Sequence, residues 1–374
     1  MNNPFKFLFS KVSSQNPKSR SVIGIDIGTS AIKVVQLKQK SGRAILETYG
    51  TLALGPYEKG AVGQVVTLSV DETVQALNDL IREAGVSVRD GAVGIPSGSS
   101  LVFTMEFPGK IAEKDFPAIV PTEARKYIPV PISEVLLDYF VIPKAQESMF
   151  DHKSDIVPAT EKTEVLGVAI HNETVTRFKD VLAKAQITDP VYELETFSAI
   201  RSSIKRDLSN ILLLDFGASR TKLSIIEYGI VRNFHVVNRG SSDITRALSQ
   251  SMQIDFAKAE ELKRTYGLLD TAPDFNVREI AELSVNYILS ETSTVILNYE
   301  KKYNKTISKI ILSGGGALLK GFYERAQEHF STTVERSDPF TKSEAPAFLR
   351  EVLTSIGPEF AVSVGLALRK LQSD

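Results

Sequence analysis

The sequence predicts an α/β protein built from two related halves, and three observations carry that prediction. Ile25-Asp26-Ile27-Gly28-Thr29-Ser30-Ala31-Ile32-Lys33 returns as Leu214-Asp215-Phe216-Gly217-Ala218-Ser219-Arg220-Thr221-Lys222, with Asp, Gly, Ser and Lys at matching offsets. A β-branched meander surrounds each copy, and stretches with helical periodicity follow it. About half of the 374-residue chain separates the copies, and that length calls for two or three domains rather than one core.

In the first half, Ser21 to Gly28 is one strand and Ala31 to Lys38 the next, so Gly28-Thr29-Ser30 is a tight hairpin turn. Arg43 to Leu54 completes the meander. Asp71 to Ala84 is helical, with Val74, Leu77, Leu80 and Ile81 on one face, Asp71 as N-cap and Gly85 as stop. Gly91 to Pro96, the strand Leu101 to Phe107, a helix carrying Glu123-Ala-Arg-Lys-Tyr-Ile-Pro129, and the strand Val135 to Ile142 read as a compact inserted subdomain over about residues 88–164. Gln146 to Lys162 is polar and without period, a surface loop that returns the chain to the main sheet at Glu164 to Ile170. A helix follows from about Glu173 to Ala185.

The second half repeats the meander as Asn210 to Gly217, Thr221 to Tyr228 and Ile230 to Val237. Asp243 to Met252 and Phe256 to Tyr266 are helices, and Arg278 to Tyr303 is one long helix or two. The core strand Ile307 to Leu312 runs into Ser313-Gly314-Gly315-Gly316-Ala317, where three glycines leave backbone amides free for a ring or phosphate. Ala361 to Leu371 closes the chain as an amphipathic helix.

Composition narrows the function. With 43% hydrophobic and 24% charged residues the chain is that of a globular protein, and its apolar runs fall short of the ~18 residues that span a bilayer. The absence of cysteine removes disulfides, thiolate metal sites and cysteine nucleophiles, and fits a reducing compartment, the cytoplasm by default. A net charge of -1 argues against nucleic-acid binding through the overall field. Residues 1–20 are a flexible basic leader with Lys6, Lys11, Lys18 and Arg20 around Phe5, Phe7, Leu8 and Phe9; contact with a membrane surface is the alternative. His152, His171, His235 and His329 have no paired ligand spacing, and no Gly-x-Ser-x-Gly elbow suggests a serine hydrolase.

The two loops suit ATP with magnesium. Gly28, Thr29 and Ser30 on one side and Gly217, Ala218, Ser219 and Arg220 on the other supply amides and hydroxyls for phosphates, while Asp26 and Asp215 face the metal or its water. Two facing carboxylates repel without a cation, and magnesium supplies one. A single Asp-x-Gly-x-Ser turn is ordinarily no more than a hairpin, so the duplication carries the inference. Lys33 is a candidate phosphate contact, but for both Lys33 and Lys222 the solvent side of the strand is the ordinary place.

This order of elements resembles the actin, sugar-kinase and heat-shock chaperone superfamily from Ser21 to Gln372. Within it, Val93-Gly-Ile-Pro96, Glu123 to Pro131 with Leu137-Asp-Tyr139, and Gly365-Leu-Ala-Leu-Arg369 are most similar to the PilM family of type IV pilus assembly proteins, itself close to the division protein FtsA. The resemblance implies an actin-like ATPase fold: two ribonuclease H-like domains around a nucleotide cleft, at 21–207 and 208–344, with an FtsA/PilM-type inserted subdomain, a helical subdomain at about 238–305, and 345–374 returning to the first domain. It implies that Thr221 joins the second phosphate motif, that Gly314, Gly315 and Gly316 are the adenosine motif, and that in Ala259-Glu260-Glu261-Leu262-Lys263 Glu260 meets the ribose and Lys263 the adenine side. Gly240 falls at the γ-phosphate contact, where relatives carry a fuller glycine pattern, and Glu195 falls where relatives place a residue near the attacking water.

The implied function is a cytoplasmic ATP-binding assembly protein at the inner face of the inner membrane, with at most slow hydrolysis. Its implied partners are the N-terminal cytoplasmic tail of the inner-membrane protein PilN, held in a groove between the inserted subdomain and the first domain, and other pilus assembly proteins, with self-association besides. An FtsA-like filament former and a small-molecule kinase are the alternatives; the kinase lacks a candidate loop for its general base.

Overall fold

The computed structural model describes residues 19–109, 111–142, 162–205, 209–269 and 276–373. Most of the leader and of the expected loop at Gln146–Lys162 lies outside the described residues.

Both meanders form as expected. β1 (Arg20–Ile27), β2 (Ala31–Lys40) and β3 (Arg43–Ala53) pair antiparallel, and after α1 (Val70–Glu83) the chain returns as β4 (Asp90–Ile95), parallel to β1. Gly91–Ile95 therefore belongs to the main sheet and not to the insertion, whose own strands start only at β5 (Ser100–Pro108). The cap of α1 is Ser69 rather than Asp71: its hydroxyl accepts Glu72 N–H at 3.3 Å, and Glu72 accepts Ser69 N–H at 2.8 Å. That reciprocal pair satisfies two otherwise free donors, which Asp71, one residue inside the helix, does not.

α2 (Phe116–Ala124) ends before most of the Glu123–Pro129 stretch expected to be helical; the chain leaves it through tighter turn bonds, Lys126 N–H to Glu123 O and Tyr127 N–H to Ala124 O, both at 3.0 Å. β6 (Val135–Val141) and β7 (Lys162–His171) complete a three-stranded antiparallel sheet of order β5-β7-β6. β7 is thus the centre of the inserted sheet, not the expected return to the main one. Periodicity cannot tell one buried strand from another, and only pairing decides which sheet it joins.

α3 (Asn172–Lys184) and β8 (Thr188–Leu194) bring the chain back, giving the order β3-β2-β1-β4-β8. β8 holds Pro190, which an edge strand tolerates. α4 (Glu195–Ser203) leads to β9 (Ile211–Phe216), β10 (Thr221–Glu227) and β11 (Ile230–Val237), then α5 (Ser241–Met252), α6 (Phe256–Tyr266) and a single long α7 (Val277–Tyr303). β12 (Lys309–Ser313), α8 (Phe322–His329) and β13 (Thr333–Arg336) finish a second sheet of order β11-β10-β9-β12-β13, the same topology as the first. The repeat in sequence is a repeat in fold.

α9 (Arg350–Ile356) and α10 (Ala361–Leu371) close the chain. Ala347–Leu371, 25 residues long, is apolar enough to cross a bilayer by composition, with mean hydropathy 1.3 over its most apolar 18-residue window, but a short 3-10 turn at Gly357–Phe360 divides it. α10 is not the expected amphipathic helix. It is buried nearly all round, and Lys370 reaches Asp189 and Asp90 at 2.6 and 2.9 Å, so its charge is met inside the protein.

α4 and α10 pass between the two sheets, where Ala199, Ile200, Ile211, Leu213, Ile311, Val362 and Leu366 form one apolar cluster. Side chains must be small for this approach: a Cβ on Gly365 collides with the Ser198 carbonyl of α4, and one on Gly24 of β1 collides with the Ser363 carbonyl of α10. Gly365→Ala is accordingly expected to lower stability by about 3 kcal/mol, since backbone rather than a flexible side chain must yield. An unchanged urea midpoint would show that the two helices separate freely.

Candidate functional site

The two hairpin turns are built alike. Gly28 N–H donates to Ala31 O and Gly217 N–H to Arg220 O, both at 3.0 Å, and a Cβ would stand 2.9 and 2.8 Å from those same carbonyls. The register of each hairpin then sets Asp26 opposite Lys33 and Asp215 opposite Lys222. Directly opposed residues share a face of the sheet, so each aspartate meets a lysine seven positions on. Lys33 lies 3.5 Å from Asp26, and Lys222 lies 2.8 Å from Asp215 and 3.0 Å from Glu195. Neither lysine stands on the solvent side. The cation that the two carboxylates need comes from the chain itself, where the sequence suggested magnesium alone.

Asp26, Asp215 and Glu195 are 6%, 7% and 9% exposed. Glu195 opens α4 and also accepts Ser97 N–H at 2.7 Å, while the Ser97 and Thr196 hydroxyls pair at 2.7 Å. Burial raises the Glu195 carboxyl above its ordinary range; Lys222 opposes this and Asp215 and Asp26 reinforce it. Burial disfavours the Lys222 ammonium, yet Asp215 and Glu195 outweigh it and hold the group protonated well above the usual lysine range.

The loops touch at their tips. Thr29 Oγ1 donates to Ser219 Oγ at 3.2 Å, and Arg220 donates to Gly98 O at 2.9 Å, so Arg220 spans from the second half to the turn ahead of β5. The Thr29 and Ser30 carbonyls accept Val66 and Leu54 N–H at 3.0 and 2.9 Å. Behind the second loop, the Gly217 and Ala218 carbonyls take the first amides of α5 from Ser241 and Ser242, both at 2.9 Å, and Thr221 Oγ1 donates to Arg239 O at 2.8 Å. Gly240 packs so close to Ala218 that a Cβ has no room. These contacts leave Gly240 a part of the loop's support, with its amide held by Asp243 at 2.8 Å.

Glu260 and Lys263 are both buried and bonded to each other at 2.7 Å, with Thr245 and Arg264 completing the cluster. Burial alone favours a neutral Glu260, but Lys263, Thr245 and Arg264 hold its carboxyl below the ordinary range. Gly63 of the first half lies against this carboxylate, a Cβ there coming within 2.6 Å. Gly314 has φ +83° and backs onto Asp215 and Phe216, and Gly316 packs on the Phe216 ring. Gly315 faces open space, where a Cβ meets nothing closer than Glu359 at 3.9 Å.

Glu359 is the site residue that sequence reading missed. Burial raises its carboxyl, Lys33 and Arg264 oppose the rise, and Asp26 adds to it, which places Glu359 in the same charged cleft. It comes in from a segment distant in sequence, and no local pattern signals it. Among the described residues no group of three or more His, Asp or Glu is arranged to hold a metal by itself.

Two sheets of one topology, joined through two buried helices and facing each other across paired Asp–Lys turns, define an actin-like ATPase fold. Solved structures share it: MreB5 of Spiroplasma citri bound to ADP has a TM-score of 0.51 at 12% identity, covering 94% of this chain and 96% of that one. A PilM–PilN type IV pilus biogenesis complex is more similar, with TM-score 0.76 and 25% identity over 94% of this chain and 98% of that one. Cell division protein FtsA of Enterococcus faecalis is 23% identical over 363 residues, 85% of this chain and 78% of that protein. FtsA of Pseudomonas aeruginosa is 22% identical over 391 residues, 94% and 90% of the two. The model of the family described as type IV pilus assembly protein PilM matches residues 24–371, and the chain belongs to that family.

Replacing Lys222 by Met strands Asp215 and Glu195 without their shared cation, a loss of about 3–5 kcal/mol at neutral pH. Burial raises the folded Glu195 carboxyl and Lys222 opposes that rise, so without Lys222 the carboxyl rises further, and the loss is small where the carboxyl is protonated and grows as pH rises. Thermal melts of K222M are expected to approach the wild type near pH 5 and fall well below it at pH 8. An equal deficit at both values excludes this origin.

Proposed function

We propose that the protein binds Mg-ATP between its two hairpin turns and takes the N-terminal cytoplasmic tail of a PilN-type inner-membrane protein, working in pilus assembly at the inner face of the membrane. The donor set supports the nucleotide. Hydroxyls of Thr29 and Ser219 meet at the tips, Gly315 leaves a side open, and Asp26 and Asp215, each paired with a lysine, both act on the buried Glu195 between them. Magnesium characteristically uses one or two carboxylates with phosphate oxygens and water, and two aspartates suffice for it. Asp26 and Asp215 would hold the ion, which would supply positive charge for the phosphates, and Lys33 and Lys222 would remain beside the two carboxylates.

The tail is supported by family membership and by the similar PilM–PilN complex. One observation ties the two activities together. Glu195 bonds Lys222 on the nucleotide side and the Ser97 amide on the other, and the inserted sheet starts three residues later at Ser100. A change in how Lys222 is held therefore reaches the inserted sheet through a short, buried, hydrogen-bonded route. Nucleotide shifts tail affinity only if it binds two arrangements of this route unequally.

Calorimetry with a synthetic tail peptide tests the reading. Affinities in apo and Mg-ATP-loaded protein are expected to differ by about 5-fold or more, the usual scale of such coupling. Equal affinities remove the coupling and leave the two binding activities standing; no heat with either form removes the tail.

A further inference from the structure

The loop between β3 and α1 reaches from the first half to the second. It is held at both ends to the first hairpin turn: Leu54 N–H donates to Ser30 O at 2.9 Å and Val66 N–H to Thr29 O at 3.0 Å. Between these stems the chain doubles back on itself, with Gly60 N–H on Gly55 O at 2.8 Å, Gln64 N–H on Ala61 O at 3.2 Å, and Ala61 N–H on the Gln64 side chain at 3.0 Å. Gly55 has no room for a side chain, since a Cβ would stand 1.9 Å from the Ala61 carbonyl oxygen. Tyr57 ties the loop to α1 by donating to Asp79 at 2.8 Å. It is a folded strap rather than a slack connection.

Its far end rests on the second half. At Gly63 the backbone has φ +84°, and a Cβ would lie 2.6, 2.7 and 2.9 Å from Cδ, Oε1 and Oε2 of Glu260. Three such similar distances set the glycine against the flat of the carboxylate. The carboxylate's edges are already taken, Oε1 by Arg264 and Oε2 by Lys263 and Thr245, so the strap covers what its own half leaves open. Any larger residue at position 63 would strain the backbone and push the strap away from Glu260.

We propose that residues 55–65 are a strap over the sugar end of the nucleotide cleft, and that a nucleotide enters and leaves as Gly63 parts from Glu260, the residue that the resemblance sets at the ribose. This rests on the nucleotide reading given above. The turn whose amides take the phosphates carries both strap stems on its carbonyls, so a phosphate that shifts Thr29 or Ser30 shifts the strap with it. The hydroxyl pair of Thr29 and Ser219 is exposed and exchanges for water at little cost, whereas the strap rests on a buried carboxylate across the cleft. Parting of the strap, not of the tips, then sets the rate of exchange.

Release of a fluorescent ATP analogue from the full chain, chased with unlabelled Mg-ATP by stopped flow, tests the strap. Gly63→Ala is expected to speed release at least about tenfold, because such effects fall on escape rather than encounter. Gly42→Ala is the control: Gly42 has φ +76° with nothing within 4 Å of a Cβ, and it follows the end of β2 remote from Thr29 and Ser30. It carries the same backbone strain without the contact, and release is expected to stay at the wild-type rate. Tyr57→Phe frees the strap from α1 without touching Glu260 and is expected to speed release about threefold, the low end of what one hydrogen bond is worth; it decides the matter if G63A does not fold. A merely structural Gly63 lowers the thermal midpoint and leaves release unchanged. Wild-type release from G63A, or from Y57F in its stead, or equal acceleration by G42A, overturns the strap and leaves the nucleotide reading intact; no binding of the analogue to the wild type overturns both.

Discussion

In each half, a buried aspartate meets a lysine set opposite it by hairpin register, and the arrangement of the cleft follows from that pair. A carboxylate cannot remain buried and ionised without a counter-charge, and the desolvation cost of both ions is offset only where geometry is fixed. The hairpins fix it. Each closes through one glycine amide bonded across the turn, which sets the register, which sets Asp26 against Lys33 and Asp215 against Lys222. Lys222 does more than Lys33, because it also holds Glu195 and thereby fastens the start of α4 to the second sheet.

From that fastening, the two halves are joined in unequal ways. Deep in the molecule, α4 and α10 cross through glycine contacts and a dry apolar cluster shared by both sheets, which resists separation. At the mouth, the joints are polar and exposed: Thr29 with Ser219, and Arg220 with the Gly98 carbonyl. Such contacts exchange readily for water and contribute little to stability. The cheap motion is therefore a swing at the mouth about the helices, in which each Asp–Lys pair stays within its own half and the Lys222–Glu195 bond, which crosses between them, is the ion pair that must yield.

Much of this was legible in the sequence, and the limits have physical causes. The repeat exposed the fold because both copies must solve the same problem, a tight turn that backs a charge onto a strand. Gly28 and Gly217, Asp26 and Asp215 stand where the spacing put them. Lys33 and Lys222 were harder, since a lysine on a strand is ordinarily exposed, and only the pairing register shows that an offset of seven across these turns brings it beside the aspartate. β7 was assigned to the wrong sheet because a buried strand reads alike in either. Glu359 and Gly63 were invisible: they enter the cleft from segments distant in sequence, and no local pattern announces an approach made by tertiary packing.

The position of Glu195 decides how charge in the cleft can act at a distance. Its Oε1 accepts from both Lys222 and the Ser97 amide, so the two donors share one oxygen, and a stronger claim on Lys222 by an anion in the cleft weakens its hold on that oxygen. Glu195 then relies on Ser97 alone, and its raised carboxyl range means that it tolerates losing a cation by taking up a proton. From Ser97 the chain passes directly into β5, which pairs along its whole length with β7, and β7 with β6. A sheet so paired moves as a unit. A displacement at Ser97 is therefore delivered to the whole inserted sheet as a change of position rather than of shape. Linkage makes the coupling mutual: whatever favours one position of the sheet must favour, by the same free energy, the arrangement around Glu195 that goes with it.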